Sequence, residues 1–259
     1  MKKIIKKIFS FFGIQVSKNI FGTYIKYKNK DYTELSFDDI YKKKISYKPI
    51  IFDVGANEGQ SIKRFKKIFP DSQIHAFEPI DEEFKKLENI YKNDKTVYLN
   101  NFALGEGEST KDFYVTKASG NSSFINLNKN SDWIKIRSAE NKVPIEEFIK
   151  EKKKLKVITL DNYCKSKKIE KIDILKIDTQ GYEDKVLSGS QNLIQNEIKF
   201  IECEIMLDDV YEKHLNFSDI EKYLIPHDYR LTALNHHGGF RNIYEGHMFV
   251  VDVLYSKLK

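Results

Sequence analysis

The sequence predicts an α/β protein built on a doubly wound, mainly parallel, Rossmann-like sheet. Three observations carry that prediction. From residue 49 onward, short apolar runs alternate with segments of helical periodicity. The first run ends in a patterned glycine loop, "DVGANEG". The intervening helical segments are long enough to cross over and return each strand parallel to the last. A length of 259 residues suits one large domain of this kind, and 41% hydrophobic content can supply its core.

The elements follow in order. "IIFDVG" is a short apolar strand. "QSIKRFKKIF" has helical spacing in Ile62, Phe65 and Phe69, and Pro70 ends it. "QIHAFEP" is a second strand, and "DEEFKKLENIYKN" is a helix that opens with acids, as its dipole prefers. "TVYLNNFAL" reads as a third strand, "GEGEST" as a turn and "KDFYV" as a hairpin arm. Residues 116–154 are irregular and rich in Ser, Asn and Lys. The parallel pattern resumes in "IDILKID", one helix in "EDKVLSGSQNLIQN", the strand "IKFIECEIML" and the helix "FSDIEKYLI". "YRLTAL" and "HMFVVDVLY" are the last strands. The organisation expected is an N-terminal extension, 1–48, with some helix, followed by one domain, 49–259.

The first 18 residues hold five lysines and no acid. On a helical wheel Ile4, Ile5, Ile8, Phe9, Phe11, Phe12 and Val16 share one half, and Lys2, Lys3, Lys6 and Lys7 the other. No apolar run there is long enough to span a bilayer. Such a basic amphipathic helix could lie on an anionic membrane surface, or pack on the domain or on a second copy of the chain in a homo-oligomer. Net charge is +6, but only four residues are arginine. Lysine without arginine argues against a nucleic-acid partner, whose phosphates and guanines favour the guanidinium fork. Cys164 and Cys203 have neither metal-type spacing nor a disulfide framework, which points to a reducing, cytoplasmic setting.

The glycine loop points to a ligand. In doubly wound sheets ligands sit at the carboxyl ends of strands, where strand order reverses. Gly55 lets the chain leave the strand sharply, Gly59 lets the next helix pack closely, and Asn57 tolerates a left-handed backbone. Glu78 ends the second strand, 25 residues after Asp53, where an acid can grip the two hydroxyls of a ribose. A dinucleotide would need a Gly-x-Gly-x-x-Gly phosphate cradle. Here the middle glycine is missing and Glu58 stands at the helix mouth, so S-adenosylmethionine fits better: it carries a ribose, two positive groups and no phosphate.

The motifs "FDVGANEG", "HAFEP", "NNFALGEGE", "VITLDNY", "LKIDTQGYE" and "FIECEI" occur in this order between residues 52 and 205. Together they resemble the FkbM family of S-adenosylmethionine-dependent methyltransferases. The resemblance implies a class I methyltransferase sheet whose last strand runs antiparallel. It implies O-methylation, typically of sugar or polyketide hydroxyls. It also implies cofactor contacts from Asp53, Gly55, Ala56, Asn57, Gly59, Glu78, Pro79, Phe102, Ala103, Leu104 and Asp178. Residues before 49, the segment 116–154 and everything after 206 are poorly covered, and those parts would shape the acceptor site.

A hydroxyl acceptor needs a base or a metal. Asp178, at the carboxyl end of "LKID", and Glu204, near the edge of "FIECEI", are the expected carboxylates. Glu202 shares the face of Glu204 and is as readily a structural ion-pair partner. His236 and His237 in "NHHGGF", and His247, are alternative bases, whereas His75, His214 and His227 read as structural. Magnesium or manganese held by Asp178, Glu204 and a histidine is a further option, without diagnostic spacing. Trp133 could stack on a sugar or plug a local core. The expected function is therefore methyl transfer to a hydroxyl of a sugar, nucleotide-linked or part of a surface polysaccharide. The competing readings are ribose or other nucleic-acid methylation and a non-catalytic cofactor-binding scaffold at the inner face of the membrane. The chain has no Asn-Pro-Pro-Tyr or Asp-Pro-Pro-Tyr stretch of the kind that serves base amines.

Overall fold

The structure is a computed structural model that describes residues 14–19, 22–27, 36–236 and 250–258. A seven-stranded sheet forms its centre, in the order β11-β12-β10-β9-β3-β4-β5. The strands are β3 (Ile50–Val54), β4 (Gln73–Phe77), β5 (Val97–Asn100), β9 (Ile172–Ile177), β10 (Ile198–Met206), β11 (Tyr229–His236) and β12 (Val250–Lys257). Pairing is parallel from β5 through β10, and β12 runs antiparallel to both β10 and β11. The antiparallel last strand is thus as expected. Strand order reverses between β3 and β9, so the carboxyl ends of those two strands form the crevice.

Both faces of the sheet are covered, which is why its strands read as apolar runs rather than alternations. On one face, α1 (Phe37–Lys44), α2 (Gln60–Ile68) and α3 (Asp81–Tyr91) bury Phe37, Ile40, Tyr41, Ile62, Phe65 and Leu87 against Ile51, Ile74, Ile174 and Phe200. On the other, α5 (Leu160–Lys167), α6 (Glu183–Ser188), α7 (Gln191–Asn196) and α8 (Phe217–Leu224) cover Phe52, Val54, Leu175, Ile177, Ile201 and Cys203. Helix α1 lies in the stretch expected as extension, yet it is part of the first core.

Residues 101–171 form the crossover between β5 and β9, and most of it is an insert. Within it, β6 (Ala103–Leu104), β7 (Ser109–Thr116) and β8 (Ile149–Ile158) make a three-stranded sheet, and α4 is Asp132–Asn141. Trp133 is buried there with Leu127, Ile134, Phe148, Met206 and Tyr211, so it plugs a local core.

Four local expectations change. "TVYLNNFAL" is two strands in two sheets, because Asn101 and Phe102 turn the chain: the Asn101 amide donates to the Glu78 carbonyl. The helix of 183–196 breaks at Gly189 and Ser190, where a side chain at 189 would meet the Gly105 carbonyl at 1.9 Å. Residues 116–154 carry more regular structure than their composition suggested. The expected helix over 1–18 does not reach its end. β1 (Ile14–Asn19) pairs antiparallel with β2 (Gly22–Tyr27), and residues 1–13 lie outside the described residues. The stretch "IQVSKN" alternates apolar and polar, with β-branched Ile14 and Val16, which suits a strand.

Candidate functional site

The site starts where β3 ends. The Gly55 and Ala56 amides both donate to the Phe77 carbonyl, at 3.0 Å each, which folds the glycine loop back over β4. Gly55 has φ +88°, Asn57 +44° and Gly59 +86°, so all three expected turn positions are left-handed. A side-chain carbon on Gly55 would lie 1.9 Å from the Asp178 carbonyl oxygen. The glycine is there because two loops meet backbone to backbone. Gly59 serves packing instead: a Cβ there would press on Leu87 and Tyr91.

Glu78 is held by that loop. Its carboxylate accepts from the Asn57 amide and the Ile80 amide, both at 2.8 Å. Burial pushes its pKa up to about 7, against the pull of those two donors. Asp53 is fully buried, and among the described residues neither carboxylate oxygen has a hydrogen-bond partner. Its nearest cation is Lys176, at 4.0 Å. Burial, opposed by Lys176, raises Asp53 to about 6.

A cavity of about 350 Å³ opens over the loop. Of the expected cofactor residues, Gly55, Ala56, Asn57, Glu78, Pro79, Ala103, Leu104 and Asp178 line it. Asp53, Gly59 and Phe102 do not line it and lie behind its wall. Phe102 packs on Phe77 and Tyr163, with ring centroids 5.8 and 6.1 Å away. Glu58 is exposed and pairs with Lys86 at 3.0 Å.

The inner end of the cavity is built from charge. Lys176, in the fully buried strand β9, donates to Asp178 Oδ2 at 3.0 Å. Asp178 keeps 32% of its side chain accessible. Burial pushes its carboxyl up, but Lys176, Gln180 and the hydrogen bond from Glu204 outweigh that and hold it below the ordinary range. Glu204 shows the opposite balance: burial, then the negative Asp178, drive it far above the ordinary range. The two carboxyls are therefore driven apart, Asp178 toward its ionised form and Glu204 toward its neutral one.

Glu202 takes the structural role. Arg64 donates to both its oxygens at 2.8 and 2.6 Å, and the Tyr41 hydroxyl adds a third bond at 2.7 Å. Arg64 in turn holds Asp38 at 2.9 Å. Burial would raise Glu202, but Arg64 keeps it ionised. Two acids on one face of a central strand are thus accommodated differently: one is ion-paired, and burial beside Asp178 pushes the other toward its neutral form.

Gln180 links the two expected catalytic carboxylates, with Nε2 2.9 Å from Asp178 Oδ1 and 2.7 Å from Glu204 Oε2. Glu183 caps the loop by accepting from the Thr179 and Gly181 amides. The roof comes from the insert. Phe113, Ser119, Gly120, Ser122 and Phe124 line the cavity from above. Ser119 donates to Asn57 Oδ1 at 3.3 Å, and Ser123 donates to the Gln180 carbonyl at 2.7 Å, so the roof is tied to both loops.

Arg64, Lys176, Gln180 and the roof were not read from sequence. Lys176 carried a signal, a charge inside "IDILKID". The others depend on distant chain segments meeting. Among the described residues no histidine lines the cavity. His75 stacks between Phe52 and Tyr98 and bonds Tyr163, as a structural residue. His236 ends β11, and His237 and His247 lie outside the described residues. Among the described residues no cluster of three or more His, Cys, Asp and Glu is arranged to hold a metal.

Comparison with known proteins places this geometry. The methyltransferase FkbM domain matches residues 53–231. The 2-O-methyltransferase NoeI of Sinorhizobium fredii is 26% identical over 170 residues, covering 64% of this chain and 67% of that protein. The methyltransferase sdnD of Sordaria araneosa is 29% identical over 173 residues, 61% of this chain and 67% of its own. A crystal structure of an FkbM methyltransferase from Methylobacillus flagellatus superposes with a TM-score of 0.52 at 15% identity, over 86% of this chain. This chain spans 48% of that one, about half its length. The glycine loop, the strand-end acid and the Asp178 loop all fall inside the matched region, and the chain belongs to the FkbM methyltransferase family.

Proposed function

We propose that the protein is an S-adenosylmethionine-dependent O-methyltransferase whose acceptor is a hydroxyl of a sugar, nucleotide-linked or part of a surface polysaccharide. The observation that carries the reading is the pairing of two features across one cavity. Glu78, locked by backbone donors, and Asp178, whose carboxylate stays partly accessible, line the same cavity.

The lining suits the cofactor. Glu78, Asp178, Glu202 and Asp252 give the wall acidic groups for a ligand with a sulfonium and an amine. The cations Lys176 and Arg64 are already engaged, by Asp178 and Glu202. A volume of about 350 Å³ lies within the usual range for small-ligand sites, about 300–1,000 Å³. When bound, the cofactor supplies an electrophilic methyl group on sulfur.

The remaining work belongs to the chain. Gly55 and Ala56 present bare backbone to the ligand, and Glu78 accepts from ribose hydroxyls through lone pairs its two amide donors leave open. The roof of Phe113 and Phe124 excludes water. Asp178 would take the proton of the acceptor hydroxyl, with Glu204 beside it. An oxygen acceptor is supported by this carboxylate pair and by the similarity to NoeI, a 2-O-methyltransferase.

The test is transfer of tritiated methyl from labelled S-adenosylmethionine to UDP-sugars, chitin oligosaccharides and RNA. Label in a sugar hydroxyl is expected, and kcat should fall about 100-fold in Asp178→Asn with smaller loss of cofactor affinity. Label in RNA alone would overturn the sugar reading. Full activity in Asp178→Asn would overturn the carboxylate role.

A further inference from the structure

We propose that Gln180 is a positioning residue, whose amide holds Asp178 and Glu204 together as one proton-accepting unit, and that Tyr211 anchors the far side of this amide. The inference rests on the reading of the site as a methyl-transfer centre.

Gln180 sits in a left-handed backbone conformation, φ +57°, between two strands' worth of catalytic carboxylates. A non-glycine residue there is uncommon and has to be held by its surroundings. Both side-chain polar atoms and the backbone carbonyl are engaged. Nε2 is 2.9 Å from Asp178 Oδ1 and 2.7 Å from Glu204 Oε2, so each amide hydrogen has its own carboxyl. Its backbone carbonyl accepts from Ser123 at 2.7 Å. Its Oε1 lies 3.0 Å from the Tyr211 hydroxyl.

The orientation follows from charge. Turned over, the amide would set its oxygen against the carboxylate of Asp178. Tyr211 anchors the far side of the amide, where its hydroxyl lies 3.0 Å from Gln180 Oε1 and 3.2 Å from the Asn121 carbonyl. Tyr211 is itself fixed in the local core of Trp133 and Phe148.

The effect on Asp178 is directional. Oδ2 is held by Lys176 at 3.0 Å and Oδ1 by Gln180, which leaves the carboxylate one stance toward the cavity. Nothing about fold stability requires a neutral amide between two acids. A base that must meet a hydroxyl at one angle does require a fixed stance.

The experiment uses the full chain and four variants: Gln180→Ala, Gln180→Glu, Tyr211→Phe and the Gln180→Ala/Tyr211→Phe pair. With the best acceptor from the tritium panel, kcat should fall about 10- to 100-fold in Gln180→Ala. Acceptor KM and calorimetric affinity for S-adenosylhomocysteine should stay within about twofold. Gln180→Glu keeps the length but loses the donor, and should remain slow. Tyr211→Phe should be slower than the parent, and the double variant no slower than Gln180→Ala, since both changes act through one amide. Parent kcat in Gln180→Ala, or additive losses in the pair, would overturn the proposal. A chain that methylates no acceptor would count against the methyl-transfer reading instead. The amide then gives its own test by ¹⁵N NMR. The side-chain pair lost in Gln180→Ala should resist solvent exchange in the parent and exchange faster in Tyr211→Phe. Free exchange in the parent would overturn the proposal without reference to activity.

Discussion

Glu78 shows how a single side chain ties pH to ligand binding. Its pKa of about 7 arises from burial, while a ribose would donate to its ionised form. Ligand binding should therefore weaken as pH falls below about 7, approaching tenfold per unit. Calorimetry with S-adenosylhomocysteine between pH 5.5 and pH 8 checks this, and Glu78→Gln should bind weakly at every pH with the slope gone. A flat profile in the parent would detach Glu78 from the ribose. Stability has the opposite sign. Glu78 and Glu183 are both raised to about 7, so the folded chain holds more protons than the unfolded one between about 4.5 and 7. Their contribution should fall as pH rises through that window, and Glu183→Gln should reduce the fall in urea titrations. At this scale the sequence was informative where a local rule applied. Asn57 was legible as a left-handed position, Gly55 as the sharp exit from the strand, Gly59 as a point of close packing and Glu78 as a strand-end acid. Asp53 was not, because its distance from the cavity depends on which face of β3 the ligand meets.

Strand β10 is the element on which the charge pattern turns. Its Glu202 is 2% exposed and depends on Arg64, from α2, for its ion pair. Arg64→Ala should leave an uncompensated buried carboxylate and cost about 3–5 kcal/mol in chemical denaturation. Arg64→Ala paired with Glu202→Gln should recover much of that, and no recovery would mean the arginine acts by packing alone. On β3, Gly55→Ala should be as damaging, about 3 kcal/mol or more, since the new carbon would overlap the Asp178 carbonyl at φ +88°. Strands and helices with strong periodicity were readable in the chain. The break between α6 and α7, the division of β5 from β6 and the β1–β2 pairing were not. Each of those depends on a close backbone approach or a partner strand, which one-dimensional periodicity does not encode.

The whole molecule places Glu78, Asp178 and Glu204 at the carboxyl edge of one sheet, and the fold class was legible because both faces of that sheet are covered by helices. Cofactor occupancy should therefore be felt globally. S-adenosylhomocysteine at about 100 times its Kd should stabilise the chain by about 2.7 kcal/mol. That corresponds to about 5–10 °C in Tm by scanning calorimetry. An unmoved Tm with ligand in such excess would count against the cofactor site. The acceptor was least legible, since the roof arises from the irregular insert, whose contacts to Asn57 and Gln180 join residues far apart in sequence. The position of that roof has a consequence for how the enzyme can change. The residues assigned to chemistry lie on the sheet and its loops, while the roof enters and leaves on a single crossover. On the acceptor reading proposed above, specificity is then carried on an exchangeable cassette: a library at Phe113 and Phe124, which spares the Ser119 and Ser123 ties to the two loops, should search new acceptors while the reaction itself stays constant.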